Sequence, residues 1–186
     1  CFSDINLREL KIKSLKIYFP IEVNIILSDK IEELDIYNAS DCNLLWKEYP
    51  KNLRTLKIDR FYNNYSELSS LKNLYAQEIE NINNLPKDLE FLSLENPYTY
   101  LKELSPKLED LQLNFTLKEN LEKQPYVKTL AVKDLDFDDF PLNKYFPNLI
   151  HFSITSDKTA FLPKGIKYLK LYYLKNLKFF MNQINI

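Results

Sequence analysis

The sequence predicts a solenoid dominated by β structure, in which each of about nine units contributes one strand. Three observations predict it. The pattern apolar-x-x-apolar-x-apolar recurs along nearly the whole chain of 186 residues. Its copies begin at intervals of 19, 22, 18, 18, 19, 19, 22 and 17 residues, a near-regular period. Pro50, Pro86, Pro106, Pro125, Pro147 and Pro163 each lie two or three residues ahead of a copy. There a fixed φ and a missing N–H stiffen entry into a strand without removing a ladder bond.

In order, the copies are Ile12-x-x-Leu15-x-Ile17, Ile31-x-x-Leu34-x-Ile36, Leu53-x-x-Leu56-x-Ile58, Leu71-x-x-Leu74-x-Ala76 and Leu89-x-x-Leu92-x-Leu94. Leu108-x-x-Leu111-x-Leu113, Val127-x-x-Leu130-x-Val132, Leu149-x-x-Phe152-x-Ile154 and Ile166-x-x-Leu169-x-Leu171 follow. They place strands near 13–18, 32–37, 54–59, 72–77, 90–95, 109–114, 128–133, 150–155 and 167–172, within a single domain spanning 1–186. A register from Leu7 would stretch the first interval to 24 residues, so Ile12 is preferred. Residues 1–11 and 175–186 are then partial repeats or improvised caps, which a solenoid needs to cover its end layers.

Units this short spend about six residues on the strand and leave few for the return path, so extended or 3₁₀ segments are expected there. The two intervals of 22 residues are where a helical turn is expected. One is Ser40–Tyr49, which opens on good N-cap types and sets Leu45 and Tyr49 on one side. The other begins at Pro141, a residue suited to a first helical turn, and carries Leu142, Tyr145 and Phe146 as its apolar groups.

The repeat, close to Pro-x-(x)-Leu-x-x-Leu-x-Leu, resembles the short proline-led classes of leucine-rich repeat, including FNIP-type repeats and the short repeats of secreted bacterial effectors. The resemblance spans nearly the whole chain. It implies a right-handed horseshoe of α/β solenoid class with a parallel β-sheet on its concave face, and protein–protein interaction as its use. The departure is at the ninth position of each unit, where the family places an asparagine that bonds neighbouring loops. Here that position holds Pro20, Ala39, Phe61, Ile79, Pro97, Thr116, Leu135, Asp157 and Leu174, and no such ladder can form.

Composition excludes several functions. Hydrophobic residues make up 45% and charged residues 27%, which supports a packed core. Formal net charge is -1, against a nucleic-acid surface. Gly165 is the single glycine, which rules out phosphate-cradling glycine loops. One histidine and two cysteines, Cys1 and Cys42, are too few for a zinc site, and no cofactor is expected. Both thiols are expected free, and cysteine sparsity points to the cytoplasm. No apolar run reaches the ~18–20 residues of a membrane span. The sequons at Asn38, Asn64 and Asn114 are weak signs of secretion in so asparagine-rich a chain.

Alternation along each strand sends the third, fifth and seventh positions of every unit to the open face. On that face Tyr75 and Phe91 are neighbouring aromatics amid polar residues, with Tyr37 some way off, and such residues suit interface anchors. Asp35, Asp59, Glu95 and Asp110, with Glu33, Glu90 and Glu109, give the middle units an acidic cast that favours a basic protein partner. The partner-binding residues are therefore expected to be Asp35, Tyr37, Asp59, Tyr75, Phe91, Glu95 and Asp110. Tyr168, Tyr172 and Tyr173 are read as packing beneath a following layer. His151, Ser153 and Asp157 superficially supply a triad, but Asp157 falls beyond the strand and no orienting shell is visible. The expected function is a non-catalytic protein-recognition module or scaffold subunit. The alternatives are the recognition domain of a larger enzyme, such as a ubiquitin-ligase substrate receptor or an effector, and a structural subunit whose ends are buried by neighbours.

Overall fold

The computed structural model describes residues 3–18, 23–37, 45–46, 50–61, 65–79, 85–95, 104–119 and 121–172. In chain order the strands are β1 (Ser3–Asn6), β2 (Ser14–Tyr18), β3 (Val23–Ile26), β4 (Glu33–Tyr37), β5 (Leu45–Trp46) and β6 (Thr55–Phe61). They continue with β7 (Asn73–Ile79), β8 (Phe91–Leu94), β9 (Asp110–Leu117), β10 (Thr129–Leu135), β11 (His151–Ile154) and β12 (Tyr168–Leu171). The motif-bearing strands form a nine-stranded parallel sheet in the order β12-β11-β10-β9-β8-β7-β6-β4-β2, and β1-β3-β5 form a second, three-stranded parallel sheet. The chain is a parallel β-sheet solenoid with almost no helix among the described residues.

The fold follows from where the apolar residues of the motif go. Its middle positions (Leu34, Leu56, Leu74, Leu92, Leu111, Leu130 and Phe152) stack in one fully buried column. Its last positions (Ile36, Ile58, Ala76, Leu94, Leu113, Val132 and Ile154) form a second. Each buried Leu is worth roughly 1.5–3 kcal/mol against exposure, so the stack is driven by its repeated apolar layer. At the two outer strands the equivalent residues, Leu15, Ile17, Leu169 and Leu171, are only partly buried. A layer with one neighbour buries less than a layer with two.

Most units enter their strands through the same turn. The N–H of the motif's first residue donates to the carbonyl three residues earlier, as in Leu53 to Pro50 (3.3 Å), Leu89 to Pro86 (3.2 Å), Leu108 to Ser105 (3.0 Å) and Leu149 to Phe146 (3.3 Å). This explains the prolines. Pro50, Pro86 and Pro163 supply the turn's accepting carbonyl, while Pro106 and Pro147 sit at the next corner, where their φ is already set. The carbonyl of the motif's second residue then accepts from two amides of the following unit, as Lys13 does from Glu32 (2.7 Å) and Glu33 (3.0 Å).

The turn ladder has moved rather than vanished. Asn52 Nδ2 donates to the Asp29 carbonyl at 2.8 Å, Ser70 Oγ to Leu53 at 2.8 Å, Ser105 Oγ to Lys87 at 2.6 Å and Asn148 Nδ2 to Pro125 at 2.8 Å. These polar groups tie successive entry turns together just ahead of the motif. At the ninth position, Ile79 and Leu135 instead prolong their strands and are buried, which is why β7 and β10 run to seven residues.

Beside the turns runs a file of opposite charges: Lys13–Glu32 at 2.9 Å, Lys72–Glu90 at 3.0 Å and Lys128–Glu109 at 2.6 Å, with Asp88–Lys107 one step earlier in the unit. Lys13 holds the Glu32 carboxyl below the usual range, and Lys107 does the same for Asp88. All are solvated, so these pairs are minor next to the buried apolar layers.

The return paths differ from one another. The helical turn expected in 40–49 is not found at its described residues: Leu45–Trp46 is strand β5, paired with β3. Leucine and tryptophan suit a strand beside β3 as readily as one helical face. The rest of that segment lies outside the described residues, as do Cys1, Cys42 and 175–186. The short helix after Pro141 is present as α1 (Leu142–Tyr145), burying Leu142 and Tyr145, and a 3₁₀ turn spans Tyr65–Glu67. Among the described residues no helix is long and apolar enough to cross a membrane.

Candidate functional site

Because the motif strands pair in matching register, the outward positions align in straight files across the sheet. One file runs Ser14, Glu33, Thr55, Asn73, Phe91, Asp110, Thr129, His151, Tyr168. The next runs Lys16, Asp35, Lys57, Tyr75, Ser93, Gln112, Ala131, Ser153, Lys170 in the same pairings. Three aromatic clusters interrupt this polar surface.

The central cluster is Tyr75 against Phe91, ring centroids 4.6 Å apart and tilted by 38°. Their strands are neighbours and their positions diagonal, within reach of large side chains. Tyr75 is exposed, Phe91 is partly buried, and the Lys57 ammonium lies 5.0 Å from the Tyr75 ring. An aromatic pair with a cation over one face presents apolar area that is already ordered.

Tyr37 does not join that pair. It stacks on Tyr18 at 5.0 Å and 15°, with Lys16 4.4 Å from its ring. The Tyr37 hydroxyl donates to Asp35 Oδ2 at 2.9 Å and accepts from Lys16 Nζ at 3.3 Å, while Lys16 and Asp35 approach to 3.7 Å. Tyr18 first, then Tyr37, holds the Lys16 ammonium protonated more firmly than usual. Asp35 and Tyr37 therefore belong to a second, self-satisfied cluster, to which Lys16 and Tyr18 must be added. Tyrosines at one position of consecutive units were the sequence signal for that stack.

The acidic cast is largely answered from within. Glu90 and Glu109 stand at the entry edge with Lys72 and Lys128, and Asp35 has Lys16. Asp59 is partly buried near the end of the motif in β6, and Glu95 is exposed just past β8. Asp110 is different. It is partly buried beside Phe91, and its Oδ1 has no solvent exposure and no hydrogen-bond partner. Burial pushes its carboxyl up from the ordinary value, against weaker opposing pulls from Gln112 and His151.

At the far end of the sheet, His151 meets Tyr168 edge-on at 4.5 Å, and Lys170 lies 4.7 Å from the Tyr172 ring. Tyr168 and Tyr172 are exposed, and Tyr173 lies outside the described residues. His151 and Ser153 share the outer face, and Asp157 is exposed beyond β11. On the return side, Asp139 adopts φ 62°, and Thr159 locks it by donating to its carboxylate at 2.8 Å and accepting its N–H at 2.9 Å. That knot pins the return paths of two units together. A cleft of about 400 Å³ at the entry edge is lined by Pro106, Pro125, Tyr126 and Ile150 among charged neighbours. No group of His, Cys, Asp and Glu among the described residues could hold a metal ion.

Comparison of the chain with protein-family models, with curated proteins and with solved structures finds no match.

Proposed function

We propose that this chain is a non-catalytic recognition module of short, proline-led leucine-rich-repeat type. In this reading it is a right-handed horseshoe whose nine-stranded sheet forms the concave face and grips a protein partner. The observation that carries the reading is the Tyr75–Phe91 pair, an ordered aromatic contact in the middle of an otherwise polar sheet face. Aromatic anchors of this kind bury wide area at low entropic cost, and a face held by a parallel ladder needs little ordering on binding. The Tyr18–Tyr37 stack gives the same face a second contact region near its other end.

The test is affinity capture from native lysate with mass-spectrometric identification, using the wild type and a Tyr37→Ala/Tyr75→Ala/Phe91→Ala bait. The triple variant is expected to fold, since none of the three belongs to the buried core. A partner recovered by the wild type and lost by the variant supports the reading. Identical partners on both baits would move binding off the sheet face and overturn it.

A further inference from the structure

Asp110 is an outward-facing acid with one carboxylate oxygen that is both buried and without a hydrogen-bond partner. Asp29, Glu32, Asp35, Asp88, Glu90 and Glu109 each stand within ion-pair distance of a lysine of this chain, and Asp110 has no such cation among the described residues. Nor is it simply solvated. One carboxylate oxygen is sealed from water without a partner, beside the ring-bearing Phe91 in the neighbouring strand. The hydrogen bond from Gln112 answers the carboxylate in part, while the sealed oxygen has lost hydration without regaining an equivalent interaction.

We propose that Asp110 and Phe91 together form the seat for a cationic side chain, foremost an arginine, presented by the protein partner. This rests on the sheet-face reading and specifies its chemistry. A cation at the outer edge of the carboxylate acts on the whole delocalised charge, so it offsets the loss at the sealed oxygen without touching it. Arginine fits better than lysine because its planar guanidinium can lie over Phe91 while an N–H bonds the carboxylate's other oxygen.

The seat is proton-linked. The strands packed against Asp110 carry Glu90 and Glu95 around β8 and Lys128 and Lys133 around β10, and β9 itself follows Glu109; His151 lies one strand further. Of these, His151 is the group that acts on the carboxyl, after the larger effect of burial. A seated cation favours the ionised carboxylate, so the carboxyl is more acidic bound than free. Binding is then strongest above the free carboxyl's titration and weakens as pH falls through it.

The experiment pans a random-peptide library displayed on phage against the full chain at neutral pH. Affinities of the enriched peptides are then measured for the wild type, Asp110→Asn, Tyr75→Ala and His151→Gln. Peptides enriched in arginine or lysine, weakened about tenfold by Asp110→Asn, support the seat. The loss on acidification should persist in His151→Gln and flatten in Asp110→Asn. Peptides that need Tyr75 but carry no shared cation and ignore Asp110→Asn overturn the seat and leave the sheet-face reading standing. Peptides indifferent to both Tyr75→Ala and Asp110→Asn bind elsewhere, and both readings fall.

Discussion

The inner face of the nine-stranded sheet carries almost one chemistry, whereas its outer face changes character from strand to strand. Inside, the middle file is leucine from β4 through β10 and phenylalanine at β11, each buried. Outside, the files alternate lysine with aspartate, then tyrosine, serine and glutamine. The difference teaches where the constraint lies. An inward residue must match the layers on both sides, and a gap costs transfer energy and lost contacts together. An outward residue meets water and its two lateral neighbours, so its identity is open to other demands.

The largest effect that sharpens this contrast comes from Leu92→Ala set beside Ser93→Ala in the adjacent position. Leu92 is fully buried in the middle of the stack, and its truncation should cost about 2–5 kcal/mol in urea unfolding. Ser93 points outward, and its truncation should stay within about 0.5 kcal/mol. Similar losses at both positions would mean that the two faces are not distinct in energy.

The entry edge belongs to neither face and tests whether polar ties can matter as apolar layers do. Asn52→Ala and Asn148→Ala each remove one turn-to-turn hydrogen bond, for an expected loss of about 1 kcal/mol apiece. The two sites lie in units far apart along the sheet, so their losses should add in the double variant within about 0.5 kcal/mol. A double variant no less stable than either single would show that these bonds exchange freely with water.

The same contrast decides what could be read from the sequence. Strand positions and inward columns were legible because a period-two pattern repeated at near-constant spacing admits one register. The helix after Pro141 was legible from its proline and the spacing of Leu142, Tyr145 and Phe146. Strand β5 was not, since Leu45 and Trp46 are compatible with either period over so short a run. The ladder through Asn52, Ser70, Ser105 and Asn148 was hidden as well. Whether a polar side chain ahead of the motif meets a carbonyl depends on the turn it sits in, which residue spacing does not specify. On the outer face, residue files could be listed but their partners could not. Tyr37 turned towards Tyr18 rather than towards Tyr75, a choice of side-chain geometry that spacing does not contain.

Asp110 gives the smallest expected effect on stability and the most specific one. Its carboxyl is raised in the folded chain by burial, above the value of about 3.9 for an unfolded aspartate. Between those two values the folded state binds more protons than the unfolded state, so this residue's contribution to stability falls as pH rises through the window. Glu32 and Asp88 work in the opposite direction, because Lys13 and Lys107 lower their carboxyls and that support is lost as pH falls. The raw stability of the wild type therefore mixes both signs. The difference between the wild type and Asp110→Asn removes the shared part. Asp110→Asn should be the more stable of the two near neutral pH, by no more than about 0.5 kcal/mol for a group still half in water. That advantage should shrink as pH approaches 4. Urea midpoints of both proteins across this range measure it directly. A constant difference at every pH would mean that the Asp110 carboxyl is as well solvated in the fold as in the open chain, and the outer face would then hold no unanswered charge.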